Sequence, residues 1–116
     1  SGLMRALRSK GLLDSTLIVC MGEFGRTPKI NRNNGRDHFP RCFSALVAGG
    51  GVKGGTVIGS SSASGQEVRN RPVLIGELYS TLLSMLRINP VKENKLAIGR
   101  AIKMADSDEP VTEMFI

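Results

Sequence analysis

Glu23, Asp37 and His38 are residue types that ligate divalent cations, and one stretch of chain holds all three together with Arg26. His38 is the chain's one histidine. A carboxylate oxygen and a neutral imidazole nitrogen suit zinc, manganese or calcium, and two such ions can clamp the attacking and leaving oxygens of an ester displacement. Asp37, next to His38, is placed either as a further ligand or as a partner orienting one. The fork of Arg26 matches a tetrahedral oxyanion bidentately. Each has a plainer alternative: Glu23 capping a turn, Arg26 bridging Asp37, and His38 simply solvated.

The elements around these residues give them a position. Thr16-Leu-Ile-Val-Cys-Met21 is apolar without alternation and rich in branched side chains, which predicts a strand buried on both faces. Glu23 then follows a strand's C-terminal end, where open α/β sheets place their ligands. A second strand is expected over residues 43–48. Ahead of both, Leu3, Met4, Leu7 and Leu12 have helical spacing, with Gly11 as a stop. Beyond them, residues 60–71 read as a polar surface loop. Leu74, Ile75, Leu78, Leu82, Leu83 and Leu86 mark an amphipathic helix from Val73, ending near residues 87–90, since Pro90 cannot continue it. Short strands are expected around residues 97–98 and 101–102 with Gly99 between them, and residues 111–116 as a last docking apolar segment.

The formal net charge of +6 is unevenly spread. Arg26, Lys29, Arg32, Arg36 and Arg41 face the single acid Asp37 between residues 24 and 41, whereas residues 103–116 are acidic. The positive field is centred on the loop carrying Glu23 and His38, and raises the local concentration of anions such as phosphate or sulfate esters. The alternative is a solvated basic loop. Nucleic acid fits less well, because the loop has only Phe24 and Phe39 to stack on and no recognised nucleic-acid motif. No apolar run reaches the ~20 residues of a membrane span.

Cys20 and Cys42 form no C-x-x-C unit, which argues against zinc-ribbon and thioredoxin chemistry. Gly49, Gly51 and Gly54 satisfy the spacing G-x-G-x-x-G after a strand. A dinucleotide site also needs a helix to open there, and the following Thr-Val-Ile-Gly-Ser-Ser does not predict one, so these glycines read as turn residues.

The segments Gly11-Leu-Leu-Asp-Ser-Thr-Leu-Ile-Val-Cys-Met-Gly-Glu-Phe-Gly-Arg-Thr-Pro-Lys-Ile-Asn31, Gly35-Arg-Asp-His-Phe-Pro40 and Phe43-Ser-Ala-Leu-Val-Ala-Gly-Gly-Gly-Val-Lys-Gly-Gly55 closely resemble the C-terminal part of the bacterial domain-of-unknown-function family 1501. Its members are sulfatase-like relatives in the alkaline phosphatase superfamily. The resemblance implies that Glu23 is the acidic metal ligand at a strand end and that His38, before the next strand, is another. Phe24 departs from the pattern, which has a polar or histidine ligand there. In the superfamily the nucleophile and the first aspartate ligands come from strands N-terminal to this region, and no serine here stands in a matching context.

The expected fold is therefore α/β: the C-terminal portion of an alkaline-phosphatase-like mixed sheet with flanking helices, spanning residues 1–116. The expected function is part of a metal-dependent hydrolase acting on an anionic small-molecule or polysaccharide ester, with export to the periplasm implied by the resemblance. The competing expectation is a non-catalytic binding or scaffold relative. The missing N-terminal half of the same domain is the expected partner, and the isolated chain is expected to be inert and only marginally folded.

Overall fold

A computed structural model describes residues 1–116. In chain order the elements are helix α1 (Gly2–Ser9), a 3₁₀ turn (Leu13–Ser15), strands β1 (Leu17–Met21), β2 (Gly25–Arg26), β3 (His38–Phe39), β4 (Ala45–Gly49), β5 (Ser60–Ser61) and β6 (Val68–Asn70), helix α2 (Ile75–Met85), strands β7 (Glu93–Lys95) and β8 (Ala101–Lys103), and a closing 3₁₀ turn (Thr112–Met114). The strands form two-stranded sheets, β1 with β4, β2 with β3, β5 with β6 and β7 with β8. The last three are antiparallel. The content is α/β, in small sheets.

The chain divides into two compact units. The first comprises Ser1–Leu17, Ala48–Thr56 and Val73–Ile116, and the second Ile18–Val47 and Val57–Pro72.

The first unit owns the buried residues. Helix α2 forms where apolar residues recur at helical spacing, and Glu77 in its first turn accepts a hydrogen bond from the Leu74 N–H at 2.7 Å, supplying a donor at the helix start with a partner. Leu78, Ser80 and Thr81 are buried on this helix, and Ala105 and Val111 are buried beyond it. Thr81 ties these parts together: its Oγ1 donates to the Glu77 carbonyl at 2.6 Å and accepts from the Val111 N–H at 2.8 Å. Removing that hydroxyl would leave a buried N–H without its partner, a loss of about 1–3 kcal/mol. Val111 is fully buried and Val52 bridges Phe115, so the final segment docks through these residues, while Ile116 at its end is 93% exposed. Helix α2 stops at Met85 with Arg87 in the left-handed region (φ 59°), its N–H donating to the Ser84 carbonyl and that of Ile88 to the Leu83 carbonyl. This paired closure is a Schellman motif.

The glycine run after β4 is a place of close backbone approach. Gly49 has φ 97°, and a Cβ there would overlap the Thr16 carbonyl oxygen. Gly50 donates to that same carbonyl at 3.0 Å. No helix opens after these residues, so the dinucleotide spacing is satisfied without the element that would bind a pyrophosphate.

The second unit contains no fully buried residue. Val19 and Met21 of β1 and Leu46 of β4 are exposed, which corrects the expectation of a strand covered on both faces. The reason is packing: a strand's faces are covered by a layer packed on its sheet, and the unit holding most of β1 has no buried residue that would mark such a layer. The polar segment expected as a loop over 60–71 closes instead into the β5–β6 hairpin. Of the last hairpin, β8 falls where expected, around residues 101–102, with Gly99 at φ 81° in the turn before it, whereas the first strand sits earlier than 97–98, on the polar residues of β7.

Candidate functional site

Strand β1 ends at Met21, so Glu23 does lie just beyond a strand's C-terminal end. The chain then turns into β2, which pairs with β3 so that Gly25 stands opposite Phe39 and Arg26 opposite His38. Gly25 is demanded by crowding. A Cβ at that position would overlap the Cys42 carbonyl oxygen and would lie 2.8 Å from the Phe39 carbonyl oxygen and 2.9 Å from the Phe43 Cβ.

Beyond the paired residues the hairpin is held by its own side chains. The Thr27 N–H donates to the Asp37 carbonyl at 3.0 Å, and the Asp37 N–H returns a bond to Thr27 Oγ1 at 3.1 Å. Asn31 organises the loop tip: its Oδ1 accepts from the N–H groups of Asn33 at 2.9 Å and Gly35 at 3.0 Å, and its Nδ2 donates to Asp37 Oδ1 at 2.8 Å. Arg36 Nη1 donates to the carbonyls of Thr27 at 2.7 Å and Pro28 at 2.5 Å. Arg36 is therefore a clamp of the loop rather than a free cation.

Phe24 links the side chains of His38 and Arg26. Its ring centroid lies 3.8 Å from that of His38 with the planes tilted by 31°, and the Arg26 guanidinium carbon lies 5.4 Å from the same centroid. Aromatic packing and cation–π attraction thus gather His38 and Arg26 about one apolar platform. Phe24 thus positions its neighbours rather than offering a donor.

The structure brings together Arg26, His38 and Phe24. Glu23 is exposed and makes no hydrogen bond, so it does not cap the turn. Arg26 Nη1 donates to the Arg36 carbonyl at 3.2 Å, with no ion pair to Asp37. One Asp37 oxygen is engaged by Asn31. His38 is exposed and its ring nitrogens make no hydrogen bond, which leaves both available. No three His, Cys, Asp or Glu side chains are grouped closely enough to hold a metal ion, so Glu23, Asp37 and His38 are not gathered into one cluster. Cys20 and Cys42 are free thiols.

Sequence reasoning did not assign roles to Asn31 or Arg36. The run Asn31-Arg-Asn-Asn-Gly35 carries a usable signal, because asparagine bonds backbone two residues on and tolerates the left-handed region, which Asn34 occupies at φ 56°.

These features define an α/β protein with an exposed, cationic hairpin that presents an imidazole and a guanidinium to solvent. Residues 1–115 match the family model described as Protein of unknown function (DUF1501), and the chain belongs to that family. Searches of curated proteins and of solved structures found no significant match.

Proposed function

We propose that the chain is part of an alkaline-phosphatase-like, sulfatase-related domain, and that the β2–β3 hairpin forms the anion-facing edge of a site that hydrolyses phosphate or sulfate esters. The observation that carries this reading is the placement of Arg26 opposite His38, both drawn to Phe24, with the imidazole nitrogens free. One guanidinium nitrogen of Arg26 holds the loop through the Arg36 carbonyl. Its remaining N–H groups suit two oxygens of a tetrahedral ester. Lys29, Arg32 and Arg41 add positive charge on the same stretch and attract an anionic substrate.

The donor chemistry of Glu23 and His38 fits a zinc, manganese or calcium ion, with Asp37 as a third donor or an orienting neighbour. A catalytic zinc site takes three protein ligands, and this chain does not gather three, so in this reading further donors come from elsewhere in the complete protein. A bound divalent ion supplies Lewis-acid stabilisation of the ester oxygens. The residues of this chain bind and orient: Arg26 the anion, His38 and Glu23 the ion, Phe24 the imidazole ring.

The absence of a three-donor cluster also favours a second reading, a non-catalytic scaffold of the same fold that binds anionic esters without cleaving them. Hydrolysis of model aryl phosphate and aryl sulfate esters by the complete protein separates the two. Turnover that a chelator abolishes and added zinc or manganese restores is the expected result; saturable binding of the ester without turnover, at any metal loading, would instead establish the scaffold.

A further inference from the structure

The β7–β8 hairpin of the first unit carries chemistry that the proposed hydrolytic site does not use. Its register sets Glu93 opposite Lys103, Asn94 opposite Ile102 and Lys95 opposite Ala101, while the Met104 N–H donates to the Lys92 carbonyl and the Leu96 N–H to that of Arg100. Directly opposed residues share a face and faces alternate along a strand, so Leu96, Ile102 and Met104 lie on one side with Lys92 and Arg100. Glu93, Lys95 and Lys103 lie on the other.

The apolar side chains are bare. Leu96 is 43% exposed, Ile102 46%, and Ile98, at the turn, 82%. Met104 continues the strip to helix α2, where it lines a shallow cleft with Ile75 and Tyr79. Between residues 87 and 103 the chain holds Arg87, Lys92, Lys95, Arg100 and Lys103 against the single acid Glu93. None of the four hairpin cations is held by its side chain in an ion pair or hydrogen bond.

We infer that this hairpin is a membrane-docking element that inserts Ile98 and Leu96 into the surface of a bilayer containing anionic lipid. An exposed apolar tip flanked by cations matches both layers of such a surface: acyl chains take the aliphatic side chains, and phosphate headgroups take the lysines and the arginine. Asp106 lines the cleft beside Tyr79 and is repelled by anionic headgroups, so the tip enters and the cleft stays outside. A protein partner is the poorer fit, because three of the four hairpin cations are lysines, and lysine is depleted at protein–protein interfaces.

Co-sedimentation of the full chain with vesicles tests the inference. Vesicles of phosphatidylcholine with about one-third phosphatidylglycerol are expected to retain the chain, and pure phosphatidylcholine vesicles to retain far less. Ile98→Asp, at an 82% exposed turn position, should lower partitioning more than about tenfold with the circular dichroism unchanged, while Ile98→Leu preserves it. The pair Lys92→Gln and Lys95→Gln should lower it about thirtyfold, and high salt should act in the same direction. No retention on anionic vesicles, or equal retention of the chain and Ile98→Asp on both compositions, overturns the inference. So does self-association in sedimentation velocity that Ile98→Asp abolishes, which would assign the surface to a second copy.

Discussion

Replacing Gly25 by alanine will unfold the hairpin that carries Arg26 and His38. The added Cβ meets backbone oxygens of Phe39 and Cys42 and the Cβ of Phe43, none of which can swing aside as the end of a flexible side chain would. Relief requires β2 to move off β3, which breaks the register that sets Arg26 opposite His38. The cost should be about 3 kcal/mol, the upper range for an overpacked site, and it falls on a unit with no fully buried residue to absorb it. Urea unfolding should show a clearly lowered midpoint with ester hydrolysis or ester binding lost in parallel. A variant with an unchanged midpoint and unchanged ester affinity would mean that the close approach at Gly25 does not organise the site.

The second large effect concerns His38 and its support. If the proposed hydrolytic reading holds, His38→Ala should lower kcat/KM for ester hydrolysis by about a hundredfold or more, since that reading makes the imidazole a metal donor. Phe24→Ala should cost less, about tenfold, because the ring contact contributes on the order of 1 kcal/mol to holding the imidazole in place. Phe24→Tyr keeps the ring and should restore most of the rate. Because Phe24 acts through His38, the double variant should be no slower than His38→Ala alone, whereas multiplied losses would show that Phe24 has a separate role. Full activity in His38→Ala would remove His38 from the mechanism.

What the sequence made legible follows from the range of the interactions involved. The apolar run ending at Met21 places Glu23 past a strand because side-chain type and chain order settle that locally. Helix α2 is legible for the same reason, its leucines recurring at helical spacing up to a Pro-limited end. The polar strands β5–β6 and β7 escaped because hydrophobic periodicity is silent where a strand buries neither face. Exposure of β1 is not legible either, since composition shows that a strand is apolar but not whether other elements cover it. At the site, residue types named Glu23, Arg26, Asp37 and His38, while the arrangement depended on contacts across the hairpin: Phe24 beneath His38, Asn31 bonded to Asp37, and Arg36 bonded to Thr27 and Pro28. Gly25 belongs to the same class, because its necessity comes from backbone atoms at Phe39 and Cys42 and a side-chain carbon at Phe43.

The most direct test of the central claim is calorimetric titration of zinc into the metal-stripped complete protein, alongside Glu23→Ala and His38→Ala. Saturable binding by the parent protein with release of heat is expected, weakened by about a hundredfold or more in either variant while their circular dichroism is unchanged. Zinc binding of equal affinity in all three proteins, or none in the parent, would contradict it and leave the β2–β3 hairpin as a cationic surface without a metal.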